Sequence, residues 1–227
     1  MMHLVQTEPF ARGGNRVCYV HPDNAEICIK VPRPDVSLAQ KRRRKGLKGR
    51  IKPASAFDDN SQDARILTHL HRSIGPSLAG LVPRFLGWID TDLGAGIMVD
   101  LIRDAEGAIA RPLKQYIWEH GMTPALHCAL EQFERYWIDH AVPSRDLLLH
   151  NVVVPTVPGP CVRLVVIDGL GNSDLLPITR MVPALARRKS TRKVANLRLR
   201  IERLLTTKVD GGDPGEHGFL TPPPSRR

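Results

Sequence analysis

A short polar loop followed by an apolar strand constrains this chain more than any other stretch. The stretch runs from Ser144 to Val154, with Asp146 and Asn151 five positions apart. The next apolar run, Leu164–Ile167, ends at Asp168. The two apolar runs are separated by a Pro- and Gly-rich turn and are predicted to pair as a hairpin. We therefore interpret the two Asp and the Asn as parts of one polar site.

The first third of the chain has the pattern of a small antiparallel sheet. Short apolar runs alternate with Gly, Pro and Asn turns, which predicts a meander of strands. A helix with an apolar stripe follows, with Ser61 as its predicted cap and Gly75-Pro76 after its end. The predicted strands are Leu4–Phe10, Arg16–Val20, Glu26–Val31, Val82–Asp90 and Gly96–Ile102.

A polar break at Arg103–Gly107 separates this region from a helical one. Helices are predicted over Leu113–His120, from Pro124 to near His140, and over residues 183–205. We predict an α+β class with a compact, protein-kinase-like bilobal fold, in which a small antiparallel β N-lobe precedes a mainly helical C-lobe. The predicted N-lobe spans residues 1–103 and includes a basic insertion at 33–60, the C-lobe spans 104–205, and a tail at 206–227 is predicted to be disordered.

The order of these elements assigns a chemical role to each polar landmark. In a kinase-like fold, a Gly turn lets backbone amides approach ATP phosphates, and a third-strand lysine binds the α- and β-phosphates. A loop Asp accepts the proton of the attacking hydroxyl, while an Asn and a second Asp hold Mg²⁺ through oxygen atoms. The corresponding residues are Gly13, Gly14, Lys30, Asp146, Asn151 and Asp168, with Asp63 as the candidate acidic partner of the lysine.

Several runs also resemble the PhoP regulatory network protein YrbL family of bacterial proteins. The resemblance extends from about residue 4 to residue 205 and implies a small, cytoplasmic, protein-kinase-like protein. The resemblance supports the predicted fold more strongly than the predicted function, because it does not identify a phosphate acceptor. The runs that carry it are Gly13–Pro22, Ile27–Lys30, Val82–Gly87, Asn151–Val154, Ile167–Ser173 and Leu176–Ile178.

The loop also departs from the pattern of ordinary protein kinases. Ser144 stands where His is usual, Leu148 stands where a lysine commonly follows the catalytic Asp, and Gly169 replaces the Phe after the second Asp. No Ala-Pro-Glu motif follows. The first hypothesis is an ATP·Mg²⁺-dependent phosphotransferase acting on an unidentified small molecule or protein. The alternative is a pseudokinase-type regulatory or binding module.

The positive charge of the chain leads to a third, weaker hypothesis, which is nucleic-acid binding. The net charge is +10 and the isoelectric point about 9.9, with basic segments at 41–52 and 187–203 that could bind an acidic partner or nucleic acid. Aromatic residues for base stacking are absent from the first segment. The four cysteines have no metal-ligand spacing, and no apolar run is long enough to span a bilayer. We therefore expect a cytoplasmic protein.

Overall fold

The computed structural model describes residues 1–36, 58–78, 80–159, 161–171, 182–215 and 217–220. The basic segment 41–52 and most of the insertion predicted at 33–60 lie outside the described residues. Four helices and nine strands are assigned within the described ranges, together with two 3₁₀ turns at Gly75–Leu78 and Leu149–Asn151. The strands are β1 Ala11–Arg12, β2 Arg16–His21, β3 Asn24–Pro32, β4 Phe85–Thr91, β5 Gly94–Asp100, β6 Val152–Val153, β7 Thr156–Val157, β8 Cys161–Val162 and β9 Val165–Val166. The helices are α1 Asp59–Ser73, α2 Leu113–His120, α3 Pro124–Asp139 and α4 Pro183–Val209.

The chain divides into two units. The first contains residues 1–73 and 84–101, and the second contains residues 74–83 and 102–220. The observed break at 101/102 lies close to the predicted one, whereas residues 74–83 belong to the second unit instead of the predicted N-lobe. One unit is built on an antiparallel sheet and the other is mainly helical, so the predicted α+β class is confirmed.

The sheet of the first unit has the strand order β1-β2-β3-β5-β4, with every neighbouring pair antiparallel. Because side chains alternate across a strand, β2 and β3 each present two different faces. Val17 and Tyr19 of β2 pack with Ile29 and Val31 of β3 in one buried cluster. Lys30 pairs with Cys18 across the strands and belongs to the other face. That alternation is what places a lysine on the face opposite the apolar cluster.

Two local predictions in this unit are wrong, both because an aspartate takes the backbone amides. Leu4–Phe10 is not a strand; the amide of Leu4 donates to Asp92 Oδ1 at 2.8 Å, and that of Val5 donates to Asp92 Oδ2 at 3.3 Å. These hydrogen bonds, the one from Leu4 above all, lower the pKa of Asp92. Helix α1 is capped by Asp58 instead of Ser61, since Asp58 accepts from the amides of Asn60 and Ser61, both at 3.2 Å.

In the second unit, α4 packs against both α2 and α3. Its buried stripe of Val194, Leu197, Ile201 and Leu204 is the predicted one. Arg198 adds a polar tie to α3, donating through Nε at 2.9 Å and Nη2 at 2.6 Å to Glu134 Oε2. Strands β6 and β9 pair antiparallel, so the two apolar runs beside the loop meet as predicted.

The end of the chain differs from the composition-based expectation. Helix α4 ends at Val209, four residues beyond the predicted 205, and described residues after it contact α2. Lys114 of α2 donates to the carbonyl of Gly215 at 2.9 Å and to that of His217, and its ammonium lies 5.2 Å from the centre of the Phe219 ring. Gly, Pro and charge favour disorder on average, but a cation that binds two carbonyls and a ring can hold such a segment. The predicted disorder of 206–227 therefore does not describe residues 206–215 and 217–220.

None of the helices in the described ranges combines the length and the apolar character needed to cross a membrane.

Candidate functional site

The first unit places Lys30 and its predicted partner Asp63 together. Lys30 on β3 has its Nζ 3.7 Å from Asp63 Oδ2 on α1, and their residues are only 4 % and 3 % exposed. Asn60, also on α1, donates through Nδ2 to the carbonyl of Lys30 at 3.1 Å, which anchors the helix to the strand. The contact with the carboxylate and the surrounding burial hold the lysine in one place.

Arg16 is a third charged member of this cluster that sequence reasoning missed. Its Nη1 lies 2.6 Å from Asp63 Oδ2, closer than Lys30, and 3.5 Å from Asn60 Oδ1. Arg16 opens β2 and is buried at 6 % exposure. An Arg two positions before Cys18 lies on the same strand face as Cys18, and the register pairs Cys18 with Lys30. The alternation was visible in the sequence, but the register between the strands was not.

Gly13 and Gly14 form a plain turn before β2. The amide of Gly13 donates to the carbonyl of Arg16 at 2.9 Å. Neither glycine has a positive φ, although other described glycines do, and a Cβ built at Gly14 meets no atom within 4 Å. In the described structure, neither position uses the backbone angles that only glycine adopts readily. Its predicted role in binding phosphate stays a prediction.

In the second unit, Gly169 holds the predicted loop and the second aspartate together. The carbonyl of Gly169 accepts from the amide of Arg145 at 2.7 Å and from that of Asp146 at 3.4 Å. The carbonyl of Asn151 accepts from the amide of Ile167 at 2.9 Å. A Cβ at Gly169 would lie 2.5 Å from the Asp146 carbonyl oxygen and 3.0 Å from Asn151 Nδ2. Asp146, Asn151 and the residue after Asp168 thus meet at a point that leaves no room for a side chain.

Two cations from α4 contact the carboxylate of Asp146. Arg200 Nη2 lies 3.1 Å from both Asp146 oxygens, and Arg200 Nη1 donates to the carbonyl of Leu147 at 3.4 Å. Lys193 Nζ lies 3.8 Å from Asp146 Oδ1 and donates to the carbonyl of Arg145. Both residues belong to the basic segment 187–203, which was predicted to be able to bind an acidic partner. Lys193, Arg198 and Arg200 form ion pairs within the chain, and binding of an acidic partner by this segment stays a prediction.

The surroundings of Asp168 are also positively charged. Its Oδ1 accepts from the amide of Gly169 at 2.5 Å and lies 3.9 Å from Arg145 Nη2. His150 lies in the same loop, and desolvation and then the positive charge of Lys114 lower its pKa below the ordinary value of 6.5. Asp168 opposes that shift and His217 adds to it. The imidazole of His150 is therefore biased towards its neutral form in the folded protein.

Asn151 and Asp168 supply oxygen donors of the kind that Mg²⁺ prefers. Within the described ranges no group of three or more His, Cys, Asp and Glu side chains is suited to a metal ion. A pair of side-chain ligands is nevertheless the usual protein contribution when phosphate oxygens and waters complete the octahedron. The donor set of the loop therefore fits a Mg²⁺–phosphate complex better than a protein-only metal site.

Comparison with solved structures matches the crystal structure of Rad53 1–466 in complex with AMP-PNP, with a TM-score of 0.45 and 11% sequence identity. The match covers 92% of this chain and 48% of the other, so the chain spans about half the length of that structure.

Comparison with curated proteins matches the YrbL proteins of Escherichia coli (strain K12) and Shigella flexneri. Each is 28% identical over 182 residues, which make up 78% of this chain and 77% of the relative. A family model described as PhoP regulatory network protein YrbL matches residues 2–202, a range that contains both clusters described above. The resemblance found in the sequence is confirmed over nearly the whole chain, and the protein belongs to the YrbL family of PhoP regulatory network proteins.

Proposed function

We propose that this protein binds ATP·Mg²⁺ and transfers the terminal phosphoryl group to the hydroxyl of an acceptor. The observation that carries the proposal is the close approach of Asp146 and Asn151 to Gly169, which leaves no room for a Cβ at that residue. That contact brings a candidate base and both candidate Mg²⁺ ligands into one loop structure within the second unit. Phosphoryl transfer asks a protein mainly for alignment and charge neutralisation, so a small set of fixed polar groups is sufficient.

Each loop residue has a defined part in the proposed step. Asp146 orients the acceptor hydroxyl and accepts its proton, while Asn151 and Asp168 hold Mg²⁺, which would neutralise charge on the phosphates. The acceptor oxygen forms a bond to the terminal phosphorus. The bond from that phosphorus to the bridging oxygen breaks, and ADP leaves with the electron pair. The proton passes from Asp146 to water.

Lys30 supports the proposal from the first unit. A lysine 4 % exposed, held by Asp63 on a helix and surrounded by strands, has the fixed geometry that phosphate binding requires. Lysine binds phosphate as a compact point charge. The carboxylate of Asp63 holds the ammonium of Lys30 in place. In the proposal Lys30 binds the α- and β-phosphates, and Asp63 acts through Lys30.

A regulatory module without phosphotransfer is the second candidate function. One specific observation favours it, namely that the carboxylate of Asp146 is already contacted by Arg200 and Lys193. A base engaged by two cations resembles a structural ion pair, and the family description places its members in the PhoP regulatory network. In that case the loop would hold a nucleotide or partner without turnover.

Nucleotide binding is tested by the melting temperature in ATP and Mg²⁺, because a ligand of the native state raises it by mass action. We expect a clear rise for the wild type, none for Asp168→Ala, and a much smaller one for Lys30→Met. Asp146→Asn should keep most of the rise and lose the release of γ-phosphate from ATP. Glu131→Gln, which alters an exposed carboxylate on α3, is the matched control.

The outcomes separate the two candidate functions. A rise that survives both Asp168→Ala and Lys30→Met contradicts the proposed nucleotide site altogether. A rise lost in Asp168→Ala, with no Asp146-dependent release of phosphate in the wild type and no phosphorylated acceptor in a cell extract, favours the regulatory module.

A further inference from the structure

We propose that Lys193, on the C-terminal helix α4, contacts the phosphoryl group during its transfer, and that Arg200 on the same helix positions Asp146. This inference rests on the proposed function and adds a cation that contacts the transferred group. Residue 148 is a leucine and offers no charge to the transferred group. Phosphoryl transfer is accelerated mainly by cations placed where charge develops, so a cation beside Asp146 would add to the effect of Mg²⁺ and Lys30.

Helix α4 presents one face to the backbone of the loop. Ser190 donates through Oγ to the carbonyl of Val142 at 3.1 Å, Lys193 donates to that of Arg145, and Arg200 donates to that of Leu147 at 3.4 Å. Positions 193 and 200 are seven residues apart and so lie on the same helix face. The buried Leu197 lies between them on the stripe that packs the helix against its neighbours. The face is therefore fixed by apolar packing, and its polar members are aimed at the loop.

The position of Lys193 places it within reach of the reacting group. Its Nζ is 3.8 Å from Asp146 Oδ1. A base that takes the acceptor proton lies about 3 Å from the acceptor oxygen, and the phosphorus attacked by that oxygen lies in the next bond. An ammonium on a flexible four-carbon stem next to that carboxylate can reach an oxygen of the phosphoryl group. Lys193 is the charged side chain of α4 whose geometry fits this role.

Arg200 is engaged differently. Its guanidinium contacts both oxygens of Asp146 at 3.1 Å and the carbonyl of Leu147 at 3.4 Å, which fixes its planar fork on the loop. Lys193 lies at ion-pair distance from Asp146 and uses one of its three N–H donors on the carbonyl of Arg145. Arg200 therefore holds the carboxylate, and Lys193 retains donors for a phosphate oxygen.

The test compares ADP·Mg²⁺ alone with ADP·Mg²⁺ plus aluminium fluoride, which mimics the phosphoryl group in flight. We expect the wild type to melt higher with ADP·Mg²⁺ and higher again when aluminium fluoride is added. Lys193→Gln keeps a donor for the Arg145 carbonyl and removes the charge. It should keep the first rise and lose the second, and Lys193→Arg should restore part of the second.

Arg192→Gln is the matched control, since Arg192 is an exposed cation one residue away on the same helix and outside the proposed site. It should keep both rises. Where the wild type releases γ-phosphate from ATP, Lys193→Gln should lower the rate about 10²-fold or more at saturating ATP. Arg200→Lys should lower the same rate with little change in the ADP·Mg²⁺ rise. The melting temperature without ligand shows whether each variant folds.

Each result decides a different claim. If the wild type does not respond to ADP·Mg²⁺, the proposed function fails and this inference fails with it. If the wild type gains the aluminium fluoride rise and Lys193→Gln gains it equally, Lys193 has only a structural role, while nucleotide binding stands. A wild type that responds to ADP·Mg²⁺ and not to aluminium fluoride also overturns the role of Lys193.

Discussion

Gly169 and Asp146 approach so closely that a Cβ added at residue 169 would lie 2.5 Å from the Asp146 carbonyl oxygen. Gly169 also has a φ of +78°, a region that other residues rarely adopt. Both facts require glycine at this position. The Asp168-Gly169 pair therefore closes the loop onto the hairpin, and the glycine sets the place of its acidic neighbour.

The first prediction concerns Gly169→Ala. The new Cβ would meet backbone instead of a flexible side chain, so the loop and the end of β9 would have to move apart. We expect a loss of about 2–4 kcal/mol in the free energy of unfolding, combining backbone strain with the shift, and loss of the ATP·Mg²⁺ melting rise. Urea denaturation and the thermal shift measure the two effects.

Gly107→Ala is the matched control for the strain alone. Gly107 has a φ of +82° in the same unit, and its added Cβ would meet nothing within 4 Å. It should cost about 1 kcal/mol and leave nucleotide binding unchanged. If Gly169→Ala and Gly107→Ala lost the same free energy of unfolding, the close approach to Asp146 would make no contribution to the destabilisation.

The second prediction concerns the buried charges of the first unit. Asp63→Ala removes the carboxylate that both Arg16 and Lys30 contact, and breaking a buried ion pair costs about 3–5 kcal/mol. Lys30→Met should cost less, because Asp63 keeps its 2.6 Å contact with Arg16 and the methionine stem fills the same space. The urea midpoints of the two variants show which substitution destabilises the protein more.

The ion pair between the exposed Arg84 and the partly buried Asp100 provides the comparison. Arg84 has a 70% exposed side chain 2.9 Å from Asp100 Oδ1, and exposed pairs contribute about 0–1 kcal/mol. Arg84→Met should therefore change the urea midpoint little. If Arg84→Met destabilised as much as Asp63→Ala, burial would not be the source of the effect.

Elements set by local patterns could be predicted from the sequence. The helix after Thr123 has the predicted cap, with Leu126 donating its amide to the Thr123 hydroxyl at 3.2 Å. The antiparallel pairing of β6 and β9 was predicted from two apolar runs around a turn. In both cases the physical cause lies within about 15 residues, so spacing alone reveals it.

Features that depend on distant partners could not be predicted. Arg16 meets Asp63 across 47 positions, and Arg200 meets Asp146 across 54. Lys193 and Arg200 were assigned to a binding surface because their charge is visible in the sequence and their orientation is not. The sequence did contain one indication that these two residues face the protein, because residues 193, 197 and 200 share one helix face and Leu197 belongs to the predicted buried stripe.

The third prediction concerns the thiols. Hydrogen bonding with Cys18 and burial raise the pKa of the Cys28 thiol well above its ordinary value of 9.0, and the thiolate is the reactive form. Cys128 and Cys161 are exposed. With a disulfide reagent at pH 8, Cys128 and Cys161 should react fast in the folded protein and Cys28 only after unfolding. The double variant Cys128→Ser with Cys161→Ser lacks both exposed thiols and should lose the fast phase from these two positions. Fast labelling of Cys28 in the native double variant would contradict the described burial.

The last prediction concerns pH and His150. Desolvation first, and Lys114 next, lower the pKa of this histidine in the folded protein. Protonation is therefore easier in the unfolded chain, so the stability linked to His150 is fully present above the ordinary pKa of 6.5 and is lost as the pH falls through the folded value.

The free energy of unfolding should fall between pH 7.5 and pH 5 by more in the wild type than in His150→Gln, which cannot titrate. His127→Gln, which removes an exposed imidazole of α3 in the same unit, is the matched control. Lys114→Met should weaken that dependence, because it removes the cation that lowers the pKa of His150 the most. An unchanged pH dependence in both His150→Gln and Lys114→Met would show that the loop and residues 215 and 217–219 do not hold His150 in the environment described.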